Sequence, residues 1–141
     1  MSELKKFGKA LRRLINSPKV FSLLHEGDWG AGGCWQLAAA LVEFMGPPAE
    51  LWAIVSTGGL EELVEHVMVK YDDLYIDYNG AQTKKELERN ILKDPHYRGC
   101  VLEIVKFTKK LQEQTHGQGY IPCDIGIVEA LRSELYREFP R

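Results

Sequence analysis

Apolar residues recur at helical spacing from the first positions of the chain. Leu4, Phe7, Leu11, Leu14 and Ile15, with lysines and arginines between them, predict an amphipathic helix over residues 3–16. Ser17-Pro18 interrupts it, and Phe21 and Leu24 point to a short second helix. Next comes a glycine stretch, with Gly27, Gly30, Gly32 and Gly33 inside seven positions. A backbone so free of Cβ atoms turns sharply or lies close to something. From Cys34 to Met45 the period is helical again, with Leu37, Ala38, Leu41, Val42 and Met45 on one stripe and Gly46-Pro47-Pro48 as the stop. Its three consecutive alanines allow close packing against a sheet.

Beyond the prolines the pattern changes. Leu51 to Ser56 is a short apolar run with β-branched residues, predicting a buried strand. Val64 to Tyr71 and Leu74 to Tyr78 flank Asp72-Asp73 and predict a two-stranded hairpin. After Asn79-Gly80, Thr83 and Glu86 stand at capping-box spacing before a helix with Leu87 and Ile91 on its buried side. Val101 to Phe107 predicts another strand, residues 112–121 a polar surface loop, and Asp124 to Phe139 a closing helix. Helices first and then mostly consecutive strands predict an α+β fold, without the alternation of a parallel sheet. No repeat or linker divides the chain, so residues 1–141 read as one domain.

Composition narrows the function classes. The chain is 45% hydrophobic and 27% charged, as a globular protein is. Eighteen basic and twenty acidic residues nearly cancel, leaving no strong field to draw in nucleic acid or an anionic membrane. No segment approaches the roughly 20 apolar residues of a membrane span. The basic first helix lacks the continuous apolar run and cleavage site of a secretory signal. Three cysteines without close pairing predict a reducing compartment, the cytoplasm by default, with export by a signal-independent route as the alternative.

Three residues carry candidate chemistry. Cys34 follows a glycine turn and opens an apolar helix, where free N–H groups and the helix dipole favour thiolate over thiol. The same N–H groups, beginning at Gly33, are candidates to hold an oxyanion. His66 begins a strand alternation that puts it on one face with Met68 and Lys70. With Asp72 and Asp73 as the turn, Tyr71 pairs with Leu74, Val69 faces Ile76, and Met68 faces Asp77. His66 and Asp77 then share a face, a diagonal step of roughly 7–8 Å apart. A slip of one residue would put them on opposite faces. An imidazole held by a carboxylate can deprotonate a nearby thiol and later protonate a leaving group.

The segment Gly33-Cys34-Trp35-Gln36-Leu37-Ala38-Ala39 resembles the transglutaminase pattern Gly-x-Cys-Trp-x-Phe-Ala. Gly32-Gly33-Cys34-Trp35 is also similar to the Cys-Gly-Ser-Cys-Trp of papain. His66-Val67-Met68-Val69 and Tyr75-Ile76-Asp77-Tyr78-Asn79-Gly80 resemble the His and Asp strands of the transglutaminase-like superfamily, which includes the arylamine N-acetyltransferases. The resemblance covers roughly residues 28–80. It implies a papain-like or transglutaminase-like core, in which a helix bearing the nucleophile packs on an antiparallel sheet. In it Cys34 is the nucleophile, His66 the general base and acid, and Asp77 the group that orients the imidazole, with Asn79 next in line for that role. Papain-type enzymes place an oxyanion glutamine before the cysteine. Here Gln36 follows it and is expected to face solvent or a neighbouring loop. Transglutaminases use a tryptophan from a distant upstream segment, in whose place Trp29 is the candidate to supply an indole N–H. Trp35 either packs behind the nucleophile or borders the substrate.

Zinc sites show paired ligands at short spacing, which this chain lacks, so neither a metal nor another cofactor is called for. His25, His96 and His116 read as surface residues, and Cys100 and Cys123 as structural. The expected activity is acyl transfer at an amide or thioester carbonyl of a protein, peptide or small acyl substrate, by a peptidase, amidase, deamidase or transglutaminase-like enzyme. The alternative is an inactive relative that binds protein partners. Neither nucleic acid nor membrane is an expected partner, and the oligomeric state is left open.

Overall fold

The computed structural model describes residues 3–24, 33–57, 63–97, 99, 101–116 and 123–140. The opening periodicity forms α1 (Glu3–Ile15) and, past Ser17-Pro18, the short α2 (Pro18–Phe21). The apolar stretch after the glycines is α3 (Cys34–Met45). Five strands follow: β1 (Glu50–Ser56), β2 (Leu63–Tyr71), β3 (Leu74–Asp77), β4 (Gly80–Gln82) and, after α4 (Lys84–Leu92), β5 (Leu102–Lys106). They form one antiparallel sheet in the order β4-β3-β2-β1-β5. The chain ends in α5 (Lys109–His116) and α6 (Ile125–Glu138). Six helices and this sheet make an α+β fold among the described residues. None of these helices is long and apolar enough to cross a membrane.

Strand alternation divides the sheet between two cores. Ala53, Val55, Val67, Val69 and Ile76 face α3, which has Leu131 and Leu135 of α6 in the same cluster. Ile54, Met68 and Tyr75 face the other way, against Leu87 and Ile91 of α4. Asp72 adopts a left-handed conformation (φ +54°) in the β2–β3 turn. The ladder then runs Tyr71↔Leu74, Lys70↔Tyr75 and Val69↔Ile76, as the turn and the period predict.

The capping box at α4 is complete. The Glu86 N–H donates to Thr83 Oγ1 at 3.2 Å and the Thr83 N–H to Glu86 Oε1 at 3.0 Å. The Glu86 carboxylate also accepts from Lys5 Nζ at 2.6 Å, tying α1 to α4. Lys5 first, and then Thr83, hold its pKa down at about 2. Thr83→Ala should cost about 1 kcal/mol, read as a lower urea midpoint with an unchanged slope.

Three sequence expectations need correction. Residues after Asn79 do not run straight into the α4 cap: Gly80, at φ +101°, turns the chain back so that Gly80–Gln82 pairs with β3. Three residues are too few to show a period of two. The expected loop 112–121 begins as α5, where Thr108 Oγ1 accepts the Leu111 N–H at 3.2 Å and Leu111 and Thr115 are buried one turn apart. The rest of that loop, 117–122, lies outside the described residues. Finally, of the two settings expected for Gln36, solvent is excluded: it is 3% exposed, because α3 lies between the sheet and α6 and is buried nearly all round.

Candidate active site

Asp77 is the last residue of β3 and is buried. Its Oδ2 lies 2.8 Å from His66 Nε2, while its Oδ1 accepts the backbone N–H of Asn79, also at 2.8 Å. Both carboxylate oxygens are therefore engaged, and the turn that starts β4 orients the acid. Asn79 contributes its backbone to this contact and does not replace Asp77.

The β2–β3 ladder ends at Val69, three residues short of His66. Cys34, the first residue of α3, acts on this imidazole through a side-chain hydrogen bond and through its charge. Since Nε2 is turned to Asp77, Nδ1 is left for the thiol. Burial alone would disfavour a charged imidazole, but the hydrogen bonds and charges of Asp77 and Cys34 outweigh it and raise His66 to about 10. An imidazolium beside a thiol favours the thiolate. The Tyr78 ring stands edge-on to His66, with centroids 5.5 Å apart and planes at 88°, and limits rotation of the imidazole.

Gly33 precedes the helix in αR geometry (φ −73°, ψ −19°) and is buried with Cys34, itself 2% exposed. Trp35 packs in the core beside Cys34. One helical step turns it about 100° from Cys34, into the core, where it is 4% exposed and meets Phe107 edge-on at 5.1 Å. Trp29, His25 and Cys100 lie outside the described residues, as do the side chains of His96 and His116. Cys123 is half-buried, and burial first, with Asp124 and Glu43 adding, pushes its thiol up to about 11.

His66 and Asp77 border a cavity of about 110 Å³ that also meets Glu65, Tyr78, Asn79 and Tyr97. Tyr97 comes from the 3-10 turn Pro95–Tyr97 after α4. Burial raises its phenol to about 12, helped by Glu65, Asp94, Tyr78 and Cys34, so it keeps its proton at neutral pH. Sequence reasoning assigned no role to Tyr78 or Tyr97. Adjacency to Asp77 was a usable signal for the first; the second is thirty-one residues from His66 with no motif around it.

The arrangement supplies an acid-held imidazole against a thiol, which is a means of activating sulfur as a nucleophile. Comparison with protein-family models, curated proteins and solved structures found no match.

Proposed function

We propose that this chain is a cysteine-dependent acyl-transfer enzyme with a papain-like or transglutaminase-like core, acting on an amide or thioester carbonyl. The observation that carries this reading is the 2.8 Å contact between His66 Nε2 and Asp77 Oδ2, with Cys34 near enough to the same imidazole to raise its pKa. A cysteine-bearing helix against an antiparallel sheet that bears the His and the Asp agrees with the resemblance drawn from the motifs. The Cys34 thiolate attacks the carbonyl carbon, forming a C–S bond. The His66 imidazolium gives its proton to the departing nitrogen or sulfur, leaving a thioester. Water or an amine then attacks the thioester and yields its proton to His66, and the C–S bond breaks to restore the thiolate–imidazolium pair.

One observation favours a second reading, an inactive relative that binds protein partners: Cys34 is only 2% exposed. Limiting iodoacetamide across pH 5 to 9, with the modified residue located by peptide mass spectrometry, separates the two. Cys100 and Cys123 are controls in the same molecule. Acyl-transfer chemistry predicts rapid modification of Cys34 well below the free-thiol pKa of about 8.5. His66→Ala should slow that reaction about 100-fold at pH 6, because the thiolate then becomes a minor species. Modification of Cys34 no faster than of the controls would remove the enzyme reading and leave the binding module.

A further inference from the structure

A larger groove of about 650 Å³ adjoins the His66 cavity, sharing Ile54, Ile91, Asp94 and Tyr97 with it. It runs between α4 and the β1–β5 end of the sheet. About half of its lining is apolar, from Ile54, Ile91, Leu92, Leu102 and Ile104, which form one strip for an alkyl chain between the polar borders. Leu92 is 84% exposed, so on the free molecule it presents its side chain to water. Charges of both signs border the groove, two lysines (Lys84 and Lys93) against three acids (Glu88, Asp94 and Glu103), and they do not select an ion of either sign.

Among the described residues, the groove meets the site on its imidazole side. The shared cavity meets His66 and Asp77, and Cys34 is not part of its lining. In a Cys–His acyl transfer the thiol takes the acyl group, while the imidazole hands a proton to the leaving group and takes one from the acceptor. Space on the imidazole side therefore serves the leaving group and, by microscopic reversibility, the acceptor. We propose that this groove binds an apolar leaving group or acyl acceptor, a neutral amine with an alkyl or comparable apolar chain. The inference rests on the acyl-transfer reading. In the acceptor step the amine nitrogen attacks the Cys34 thioester carbon, its proton passes to His66, the C–N bond forms and the C–S bond breaks.

The test loads the full chain with p-nitrophenyl acetate, which would place an acetyl thioester on Cys34 and release p-nitrophenolate. The acyl-enzyme is then offered n-alkylamines from methyl to hexyl at pH 9, and the acetamide formed is quantified. Aminolysis should accelerate by up to about fourfold for each added methylene, the factor for burying a CH₂ group. Leu92→Ser, at an exposed position that the core does not need, and Leu102→Ser should each flatten that dependence. If Cys34 takes no acetyl group, the acyl-transfer reading itself fails. If it is acetylated but amines of all lengths react alike, or both variants keep the wild-type dependence, the groove assignment is overturned and the reaction type stands.

Discussion

Asp77→Asn should slow acylation of Cys34 about 10²–10⁴-fold, the range that positioned acid–base catalysis supplies. The reason lies in the two contacts of the carboxylate. The Asn79 N–H requires an acceptor, so the amide of the variant would turn its oxygen to Asn79 and its NH₂ to His66. Nε2 must then accept, which moves the imidazole proton to Nδ1, facing the thiol. In that tautomer His66 cannot take a proton from Cys34, and the negative charge that held the imidazolium is gone. The iodoacetamide profile of Cys34 should move towards that of a free thiol, near pH 8.5.

The same substitution should change how stability depends on pH. His66 is raised from 6.5 to about 10 in the folded protein. Its contribution to stability is therefore fully present below pH 6.5 and is lost as pH rises to about 10. Urea unfolding at pH 6 and pH 10 should show that loss in the wild type and a smaller one in Asp77→Asn. Identical alkylation profiles and identical pH dependence in the two proteins would show that Asp77 does not control the proton on His66.

Gly8→Ala should cost about 3 kcal/mol, the upper part of the usual range for overpacking. A Cβ at Gly8 would stand 2.4 Å from the backbone nitrogen of Ala81 in β4, and no side-chain rotation can relieve a clash with backbone. Gly80 lies opposite, with the Gly8 carbonyl oxygen 3.3 Å from where its own Cβ would be. Relief requires α1 to move off β4, loosening the burial of Leu11 and Ile15. Gly80 pairs with Asp77 across the turn, so the displacement also bears on the segment that presents the Asn79 N–H to the acid. A urea midpoint unchanged in Gly8→Ala would mean that α1 is not held against β4.

Much of this molecule is legible in local sequence. Helical stripes, the Gly46-Pro47-Pro48 stop, the Thr83–Glu86 capping box and the Asp124 N-cap each depend on residues a few positions apart. The hairpin register is equally local, since a two-residue turn and a period of two together decide which residues face each other. That is why the sequence alone puts His66 and Asp77 on one face, where the structure has them in contact.

Tertiary packing decided the rest. β4 is three residues long and exists because Gly80 turns it onto β3 and α1 covers it. Gln36 and Trp35 are buried because α3 is enclosed between the sheet and α6, which no property of those residues announces. The approach of Cys34 to His66 joins the start of α3 to a strand thirty-two residues further along the chain. The Tyr97 position and the groove arise where α4, the turn after it and two strands meet. Most of the elements, the hairpin register and the residue types available for chemistry were readable along the chain, because they follow from near neighbours. Which side chains stand together, which are closed off from water and where a substrate would have room were decided by the fold, because they depend on contacts between segments far apart in sequence.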